Sequence, residues 1–419
     1  MRPGTVHVIG GGVAGLSAGV HLAKAGARVV VYEGAAQAGG RCRSYLDPIL
    51  DVVIDNGNHL VLSGNEAVED YLQITGAEAA LTGPETACFC FMDLADGERW
   101  MLRPSDGRIP WWVFDPSRRV PGTQASDYLA FAKLMKAKPG QRIDQVIPPR
   151  GQLWRRLIAP FLVAALNTEP ATASGVLAGA IVRETLARGG RYCRPRIADP
   201  TLAAAFVDPA IAFIEERGGA VRLGRRVRGF QFEGERVAGL TLPDGDVAVG
   251  PQDRVVLAVP PGTAQELLPG LAAPDAFRAI VNAHFRIAPP EGADAMVGVI
   301  GGTAEWVFAF TDRLSVTISD ADRLVDQDRE TLARAIWADV AAVHTLPLEP
   351  MPPWQIVKER RATFAATPDQ ESKRPGAATR FGNLWLAGDW TATGLPATLE
   401  GAVRSGRTAA GLALAAVAV

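Results

Sequence analysis

The chain has 419 residues, of which 48% are hydrophobic and 21% are charged, a composition typical of a globular protein with two or three domains. The 43 Lys and Arg residues nearly balance the 45 Asp and Glu residues, so the basic excess of a nucleic-acid-binding protein is missing. Four cysteines are too few for a disulfide framework and lack zinc-ligand spacing, so we expect no metal site. No uncharged run reaches the roughly 20 apolar residues that span a membrane.

The first 33 residues have the pattern of a strand, a helix and a second strand. Thr5–Gly10 is a short apolar run, and Val13–Ala25 carries apolar residues at helical spacing. Ala27–Glu33 is rich in β-branched and aromatic residues, which favour a strand. Three elements in so short a segment predict a parallel crossover unit and an α/β domain.

Signals of the same domain return in two later parts of the chain. A helix at Phe206–Arg217 and a buried strand at Arg254–Val259 are predicted first, and a final helix is expected from about Pro396. The intervening stretches combine helical patterns with antiparallel strands and a hairpin turn at Gly298–Gly302. We predict a nucleotide-binding domain formed by residues 1–65, 205–265 and 375–419. An α+β substrate domain formed by residues 66–204 and 266–374 is interleaved with it.

The loop between the first strand and helix matches the G-x-G-x-x-G pattern of dinucleotide-binding domains. Its predicted cofactor contacts are Gly10, Gly12, Val13, Ala14 and Gly15. The first glycine permits a tight turn, the second lets the backbone approach a pyrophosphate, and the third allows close helix–strand packing. Glu33 follows the third glycine by 18 residues, near the spacing of the carboxylate that binds ribose hydroxyls.

A second glycine-rich segment follows Glu33 and contains Gly39, Gly40 and Arg41. It resembles the G-G-R-x-x-S signature of FAD-dependent amine oxidases, phytoene desaturases and their relatives. The two glycines and the arginine let main chain and guanidinium face further phosphate and the flavin ring. Enzymes that use only nicotinamide have no need of this element, so it favours FAD.

The C-terminal segment contains a third element of the same kind. A predicted strand ends in Gly388 and Asp389, and a helix follows, with Ala397 and Thr398 at its start. In the superfamily of these flavoenzymes, the aspartate holds the ribityl chain, and the helix N-terminus faces the N1/C2 carbonyl region of the flavin. Three elements in this order predict an FAD-binding domain of the glutathione reductase type.

Two weaker elements resemble parts of the same superfamily. Asp55–His59 resembles the D-x-G-x-H element beside the isoalloxazine ring, which implies cofactor contacts from Gly57, Asn58 and His59. His59 is equally compatible with a loop histidine that has no such role. Val227 resembles the valine on the adenine side of the cofactor.

Several segments are similar to the bacterial hydroxysqualene dehydroxylases of hopanoid synthesis, also called squalene-associated FAD-dependent desaturases. The stretches that narrow the resemblance to this family are A-A-L-N-T-x-P, within Phe161–Ser174, and R-A-T-F-A-A-T-P, within Lys358–Pro368. Val221–Val227 and Leu384–Gly406 add to it. The resemblance implies a C30 isoprenoid substrate and reductive removal of its hydroxyl group to give squalene.

The implied chemistry needs an apolar pocket and a proton donor. An allylic alcohol leaves as water after protonation, and hydride from N5 of reduced flavin then reaches the allylic cation. The proton-donor candidates are His59, Asn167 together with Glu169, and His284. Aromatic residues that line the pocket, or alternatively pack the core, are Trp111, Trp112, Trp306 and Phe308.

Two other functions are compatible with the flavin elements. A polyene or carotenoid-type desaturase or an amine oxidase would use the same flavin in the oxidative direction, and only the substrate separates these cases. A prenyl-protein escort protein would bind a partner without flavin and would purify colourless. Gly39–Arg41 and Gly388–Asp389 argue against the escort function.

A C30 lipid is nearly insoluble in water, so we expect a cytoplasmic protein that binds peripherally at the inner face of the cell membrane. The predicted contact region is Trp100–Trp112, with basic residues Arg103, Arg108, Arg118 and Arg119. Internal packing of the tryptophans is the alternative. The apolar tail Thr408–Val419 is compatible with membrane contact or with the end of a core helix. The electron donor does not follow from the sequence.

Overall fold

The computed structural model describes residues 4–416, which form twenty strands and twelve helices. The strands are β1 (Thr5–Ile9), β2 (Arg28–Tyr32), β3 (Ser44–Asp47), β4 (Val52–Asp55), β5 (Leu60–Leu62), β6 (Leu81–Thr82), β7 (Phe89–Asp93), β8 (Arg99–Leu102), β9 (Pro195–Ala198), β10 (Ala220–Arg222), β11 (Gly229–Glu233), β12 (Arg236–Thr241), β13 (Val247–Ala248), β14 (Arg254–Leu257), β15 (Phe277–Phe285), β16 (Met296–Ile300), β17 (Trp306–Ala309), β18 (Leu314–Ile318), β19 (Trp354–Phe364) and β20 (Leu384–Leu386). The helices are α1 (Val13–Lys24), α2 (Glu66–Thr75), α3 (Leu129–Leu134), α4 (Ile143–Val146), α5 (Ala159–Leu166), α6 (Gly175–Glu184), α7 (Leu202–Phe206), α8 (Asp208–Glu216), α9 (Pro261–Leu267), α10 (Arg329–His344), α11 (Pro368–Ser372) and α12 (Leu399–Ala415).

A five-stranded parallel sheet joins three distant parts of the chain. Its strand order is β10-β2-β1-β14-β20, and every neighbouring pair is parallel. One face packs against α1, α8 and α12, and the other packs against the antiparallel strands β11–β13 and α9. The valine-rich strands suit this position because both of their faces are buried. The predicted crossover unit β1–α1–β2 forms the centre of this sheet.

Glycines allow the crossover unit to be this tight. Gly10 has a φ of 109°, in the left-handed region that favours glycine. A Cβ atom on Gly15 would lie 1.9 Å from the carbonyl oxygen of Gly10, so no side chain fits there. Helix α1 can therefore begin directly against the end of β1, as the glycine spacing predicts.

The second large sheet has seven strands, in the order β19-β15-β18-β17-β16-β7-β8. Strands β7 and β8 precede the helical segment of the chain, and the other five strands follow it. The β16–β7 pair is parallel and the remaining pairs are antiparallel. The predicted hairpin near Gly298–Gly302 is present, although Gly298 lies within β16 and the turn begins at Gly301.

Hydrophobic packing covers both faces of this second sheet. Helix α10 packs on one face, and helices α3–α6 pack in a cluster that includes Phe91 and Trp306 on the other. A buried arginine attaches the helical segment to the edge of the sheet. Arg156 donates hydrogen bonds to Asp93 (3.0 Å) and Asp96 (2.7 Å). Arg156 and Asp93 are both buried. Each charge would be costly inside the protein without a partner, and the ion pair offsets that cost.

Two predicted helices begin at different residues in the structure. The predicted helix Phe206–Arg217 corresponds to α8, which begins at Asp208 with Pro209 in its first turn, whereas Phe206 is the last residue of the separate helix α7. The last helix begins at Leu399 and not at Pro396. The Thr398 hydroxyl accepts a hydrogen bond from the amide of Gly401 (3.1 Å) and caps the helix at that point.

The apolar C-terminal segment is the end of a packed helix over the part that the structure describes. Ala409, Ala410 and Ala413 are buried against the parallel sheet domain. Residues 417–419 of the predicted tail lie outside the described residues. Within residues 4–416, every helix is too short or too polar to cross a membrane.

Helix α12 contacts α1 at a glycine, which makes a stability prediction possible. A Cβ atom on Gly406 would lie 2.3 Å from the carbonyl oxygen of Ala14, whereas one on Gly411 of the same helix would meet no atom within 4 Å. We expect Gly406→Ala to destabilise the protein by about 1–3 kcal/mol. Gly411→Ala should stabilise it by about 0.5–1 kcal/mol, because alanine favours helix. Urea unfolding of both variants tests this packing, and equal midpoints would contradict it.

Candidate active site

The two glycine-rich loops form one backbone cradle at the carboxyl edge of the parallel sheet. The amide of Gly39 donates a hydrogen bond to the carbonyl oxygen of Gly11 (2.8 Å), and Gly12 and Gly39 form an isolated parallel bridge. A Cβ atom on Gly40 would lie 3.4 Å from the Cα atom of Gly12. A Cβ atom on Gly12 would meet no protein atom within 4 Å, so open space adjoins this loop.

Glu33 stands beside this cradle at the end of β2. Its Oε2 accepts a hydrogen bond from the amide of Gly11 (2.7 Å), and its Oε1 accepts one from the amide of Ala35 (2.8 Å). The backbone carbonyl of Glu33 accepts a further bond from the amide of Arg225 (2.7 Å). The buried Val227 follows in the same segment. The bond to Arg225 therefore brings the segment that carries Val227 next to Glu33.

Arg41 and Asp389 form an ion pair that joins the second and third predicted elements. The Nη2 atom of Arg41 donates to Oδ2 of Asp389 at 2.7 Å, and Nη1 donates to the carbonyl oxygen of Ala362. Asp389 raises the pKa of Arg41 although burial opposes this change. Within residues 4–416, Arg41 is the only hydrogen-bond partner of the Asp389 carboxylate, so its other oxygen is free to accept from a ligand.

Two residues that the sequence analysis missed, Arg374 and Ser405, stabilise the loop around Gly388 and Asp389 through hydrogen bonds to its backbone. Ser405 of α12 accepts a hydrogen bond from the amide of Gly388 (2.8 Å). The buried Arg374 donates to the carbonyl oxygen of Asp389 (3.1 Å) and to the hydroxyl of Thr393 (2.9 Å). No motif marks Arg374, because its role depends on a loop that the chain reaches fifteen residues later.

Helix α12 begins beside this loop. Thr398 is its N-cap, and Ala397 immediately precedes it, with both residues partly buried. Glu400, in the first turn of α12, contacts the start of α2. Its carboxylate accepts hydrogen bonds from the amides of Ala67 (3.1 Å) and Val68 (3.0 Å). The first turn of the helix is thereby fixed relative to α2.

The segment Asp55–His59 rests on the seven-stranded sheet. Asn282 donates from its side-chain amide to the carbonyl oxygen of Asn56 (3.2 Å). Asn58 donates to the hydroxyl of Thr317 (3.1 Å). A Cβ atom on Gly57 would lie 2.9 Å from the Nδ2 atom of Asn282. The absence of a side chain at Gly57 therefore lets Asn282 of the substrate domain pack closely against this segment. This contact connects the two domains beside the cradle.

His59 lies within electrostatic reach of the Arg41–Asp389 pair. Burial and, to a smaller extent, the nearby Arg41 guanidinium lower its pKa from 6.5 to about 4, although Asp389 acts in the opposite direction. The imidazole is therefore neutral at pH 7. The structure thus brings this predicted proton-donor site close to the predicted cofactor residues Arg41 and Asp389.

His284 is fully buried on β15. Its Nδ1 atom is 2.8 Å from the Ser315 hydroxyl, and Nε2 has no partner within the part of the chain that the structure describes. Burial and, to a smaller extent, the charge of Arg313 lower its pKa to about 3. His284 is neutral at pH 7, like His59. Residues 4–416 contain no group of three or more His, Cys, Asp or Glu side chains arranged to hold a metal ion.

Asn167 and Glu169 occupy different environments from the one that a proton donor needs. Asn167 is buried with a φ of 46°, and its amide donates to the Thr363 hydroxyl (2.8 Å) and accepts from the amide of Asp320 (2.7 Å). Glu169 is exposed. The side-chain amide of Asn167 is engaged in two hydrogen bonds that stabilise a turn. Glu169 is too exposed to protonate a buried substrate.

Asn167 also belongs to a contact between the two segments that narrow the family resemblance. Besides the Asn167–Thr363 bond, Thr168 accepts a hydrogen bond from the amide of Ala366 (2.8 Å). The amide of Ser174 donates to the carbonyl oxygen of Ala366 (2.7 Å). Because Ala362 on the same strand accepts from Arg41, these paired segments adjoin the Arg41–Asp389 pair.

The aromatic residues separate into a buried group and an exposed one. Trp112, Trp306 and Phe308 are buried in one cluster that also contains Trp390, a residue that the sequence analysis missed. Trp390 follows Asp389 directly and donates from its indole to the carbonyl oxygen of Val259 (2.9 Å). The pocket prediction for Trp111 is wrong, because this side chain is 64% exposed.

The family model described as flavin containing amine oxidoreductase matches residues 13–289 and 294–414. The chain is 53% identical over 412 residues to the hydroxysqualene dehydroxylase of Sinorhizobium fredii, covering 98% of this chain and 99% of the relative. It is 54% identical over 413 residues to that of Rhodopseudomonas palustris, with the same coverage. Among solved structures, cyclohexylamine oxidase from Brevibacterium oxydans has a TM-score of 0.71 at 16% identity and 99% coverage of both chains.

The cradle fits FAD. Open space adjoins Gly12, and carboxylates stand at both ends of the cradle, with Glu33 against Gly11 and a free oxygen of Asp389 beside Arg41. The fold match confirms the predicted FAD-binding domain with an α+β substrate domain. FAD is thus the cofactor of this oxidoreductase. The chain belongs to the flavin containing amine oxidoreductase family and, within it, to the group of the hydroxysqualene dehydroxylases.

Proposed function

We propose that the protein removes the hydroxyl group of hydroxysqualene to give squalene, a step of hopanoid biosynthesis. The observation that supports this function is the contact between the Asn167–Ser174 and Thr363–Ala366 segments beside Arg41. These segments carry the resemblance that separates hydroxysqualene dehydroxylases from other members of the superfamily. The hydroxysqualene dehydroxylases of two other bacteria share more than half of their residues with this chain.

The residues that would hold FAD come from all three predicted elements. The cradle of Gly10–Gly15 and Gly39–Arg41 offers backbone amides for the pyrophosphate, and Glu33 offers a carboxylate for the ribose. Asp389 offers its free oxygen for the ribityl chain. Reduced FAD, when bound, supplies the hydride that replaces the hydroxyl group, which leaves as water with one added proton.

The protein's own groups favour loss of a hydroxide equivalent from an apolar lipid. His59 is neutral, so an N–H of its ring can donate a hydrogen bond without placing a second positive charge near a developing cation. Trp306 and Phe308 belong to the buried cluster that includes Trp390, and aromatic faces from this cluster would stabilise positive charge in a dry site. Their cluster also excludes water, which would otherwise capture the cation.

The Arg41–Asp389 pair gives a prediction about cofactor binding. Asp389→Ala should weaken FAD binding by about 1–3 kcal/mol, because a charge-assisted hydrogen bond is lost. The loop should stay folded because Arg374 and Ser405 hold it through its backbone, so the melting temperature should fall no further than the weaker FAD binding requires. Flavin content and thermal unfolding are measured on the same samples, with Asp389→Asn as the isosteric control. Normal flavin content together with reduced stability would assign Asp389 to the turn alone.

The neutral histidines predict an acid-side loss of stability. In the unfolded chain an imidazole binds a proton as the pH falls through about 6.5. In the folded protein the pKa values of His59 and His284 are lowered to about 4 and about 3. The unfolded state therefore binds more protons between these values, and the free energy of unfolding falls as the pH drops from 6.5 toward 4.

Urea unfolding of wild type, His59→Gln and His284→Gln between pH 4.5 and 7.5 measures this effect. Each variant should lose less stability than wild type on acidification. The difference between proteins, and not the absolute slope, is the readout, because carboxylates titrate in all three. Parallel curves for wild type and both variants would contradict the lowered pKa values.

The proposed reaction is tested in a single turnover. The holoenzyme is reduced with dithionite without oxygen and mixed with hydroxysqualene in detergent micelles, and the lipids are identified by mass spectrometry. We expect about one squalene per reduced flavin, with reoxidation of the flavin at the same rate. Oxidised holoenzyme with the same lipid is the control and should give no squalene. Unchanged lipid with flavin that stays reduced would overturn the proposal.

A further inference from the structure

An exposed apolar face lies on the helical part of the substrate domain. Within residues 4–416, eleven large hydrophobic side chains are exposed, and four of them lie between residues 109 and 129. We call Ile109, Trp111, Phe114 and Leu129 the aromatic face; their exposures are 57%, 64%, 65% and 62%. An exposed cluster of large apolar side chains usually marks an interaction site, whereas single exposed hydrophobic residues do not.

The aromatic face has a rigid base. Trp111 and Phe114 are the first and last residues of a 3₁₀ turn, with ring centroids 6.2 Å apart, so both project from one side. Trp112 of the same turn points inward and packs edge-on against Tyr128 at 5.0 Å. The predicted contact region is therefore corrected, because Trp100 and Trp112 are buried and only Trp111 is exposed.

Basic residues outnumber acidic residues in the segment that carries the aromatic face. The segment 103–138 contains seven Lys and Arg residues and three Asp residues, in a chain whose total charge is −2. Arg108 is exposed beside Ile109, and Lys133 lies one helical turn after Leu129. Arg118 and Arg119 contribute charge although each guanidinium also donates to a backbone carbonyl. This charge is complementary to an anionic surface.

A second apolar patch on the molecule lacks this charge. Leu46, Ile49 and Val53 are exposed on the β3–β4 hairpin, which we call the hairpin patch. The segment 43–55 contains one arginine and three aspartates, but Asp47 and Asp55 are buried. Arg286 lies 4.0 Å from the exposed Asp51, so the hairpin patch lacks a basic excess. An anionic bilayer would therefore attract the aromatic face more strongly than the hairpin patch.

The residues beneath the aromatic face belong to a hydrophobic cluster that reaches the candidate active site at Trp390. Trp112 and Tyr128, on which the face rests, belong to the same hydrophobic cluster as Trp306, Phe308 and Trp390. We propose that the aromatic face docks the protein on an anionic lipid bilayer, so that an apolar substrate passes from the membrane into the cluster beneath. The substrate part of this statement rests on the proposed function, whereas the docking part does not.

The first test of the docking is vesicle flotation with the wild-type protein. Holoenzyme is mixed at low salt with vesicles of phosphatidylglycerol and phosphatidylcholine, or of phosphatidylcholine alone. We expect the protein to float with the anionic vesicles, and 0.5 M NaCl should reduce the bound fraction. Protein that stays with the soluble fraction on anionic vesicles at low salt overturns the proposal.

Matched variants locate the contact. Trp111→Ser combined with Phe114→Ser should weaken vesicle binding at least about tenfold, because two large apolar side chains no longer enter the bilayer. Leu46→Ser combined with Val53→Ser removes two side chains of the hairpin patch and should leave binding unchanged. Equal loss in both variants, or loss only in the hairpin variant, contradicts the assignment. Flavin content and melting temperature, compared with wild type, confirm that each variant is folded.

Turnover separates this proposal from the proposed function. With hydroxysqualene in detergent micelles, the Trp111/Phe114 variant should react as fast as wild type, and with substrate in anionic vesicles it should react more slowly. Vesicle binding without turnover of wild type would leave the docking intact and refute the function. Turnover that is equally fast from vesicles in the variant would refute the delivery route.

Discussion

Close packing of helix α1 is the constraint on which the cofactor site depends. Its first turn lies against the Gly10 carbonyl through Gly15 and against α12 through Gly406, and neither glycine has room for a Cβ atom. Because these contacts exclude side chains, α1, the sheet edge and α12 occupy fixed positions. The two glycine loops can then hydrogen-bond to each other, and the C-terminal loop reaches the same cradle.

Charge placement complements this packing. Arg41 and Asp389 neutralise each other beside the cradle, and the neighbouring Arg374 holds the same loop through backbone carbonyls. A buried charge without a partner is costly, so the pair leaves one carboxylate oxygen available without leaving an isolated ion. The same surroundings keep His59 neutral. The site combines few net charges with several directed donors and acceptors, which suits a charged cofactor next to an apolar substrate.

The substrate domain has two connected tasks. Its sheet supports the Asp55–His59 segment through Asn282 and Thr317, and its helices form the apolar cluster that extends toward the aromatic face. Solved structures of the same fold include an amine oxidase with only 16% identity to this chain. Since the fold is shared, a difference in substrate depends on side chains placed on that fold and not on the fold itself.

The sequence by itself determined the crossover unit, the three flavin elements in their order and the family, because each depends on local residue spacing and on glycines required at tight approaches. Tertiary structure decided which groups meet. Arg41 and Asp389 are 348 positions apart, and no local pattern predicts their pairing or the support from Arg374. Trp111 and Trp112 are adjacent and chemically identical, yet one is exposed and the other buried. Only the direction of each side chain within the packed turn separates them, and that direction is a property of the fold.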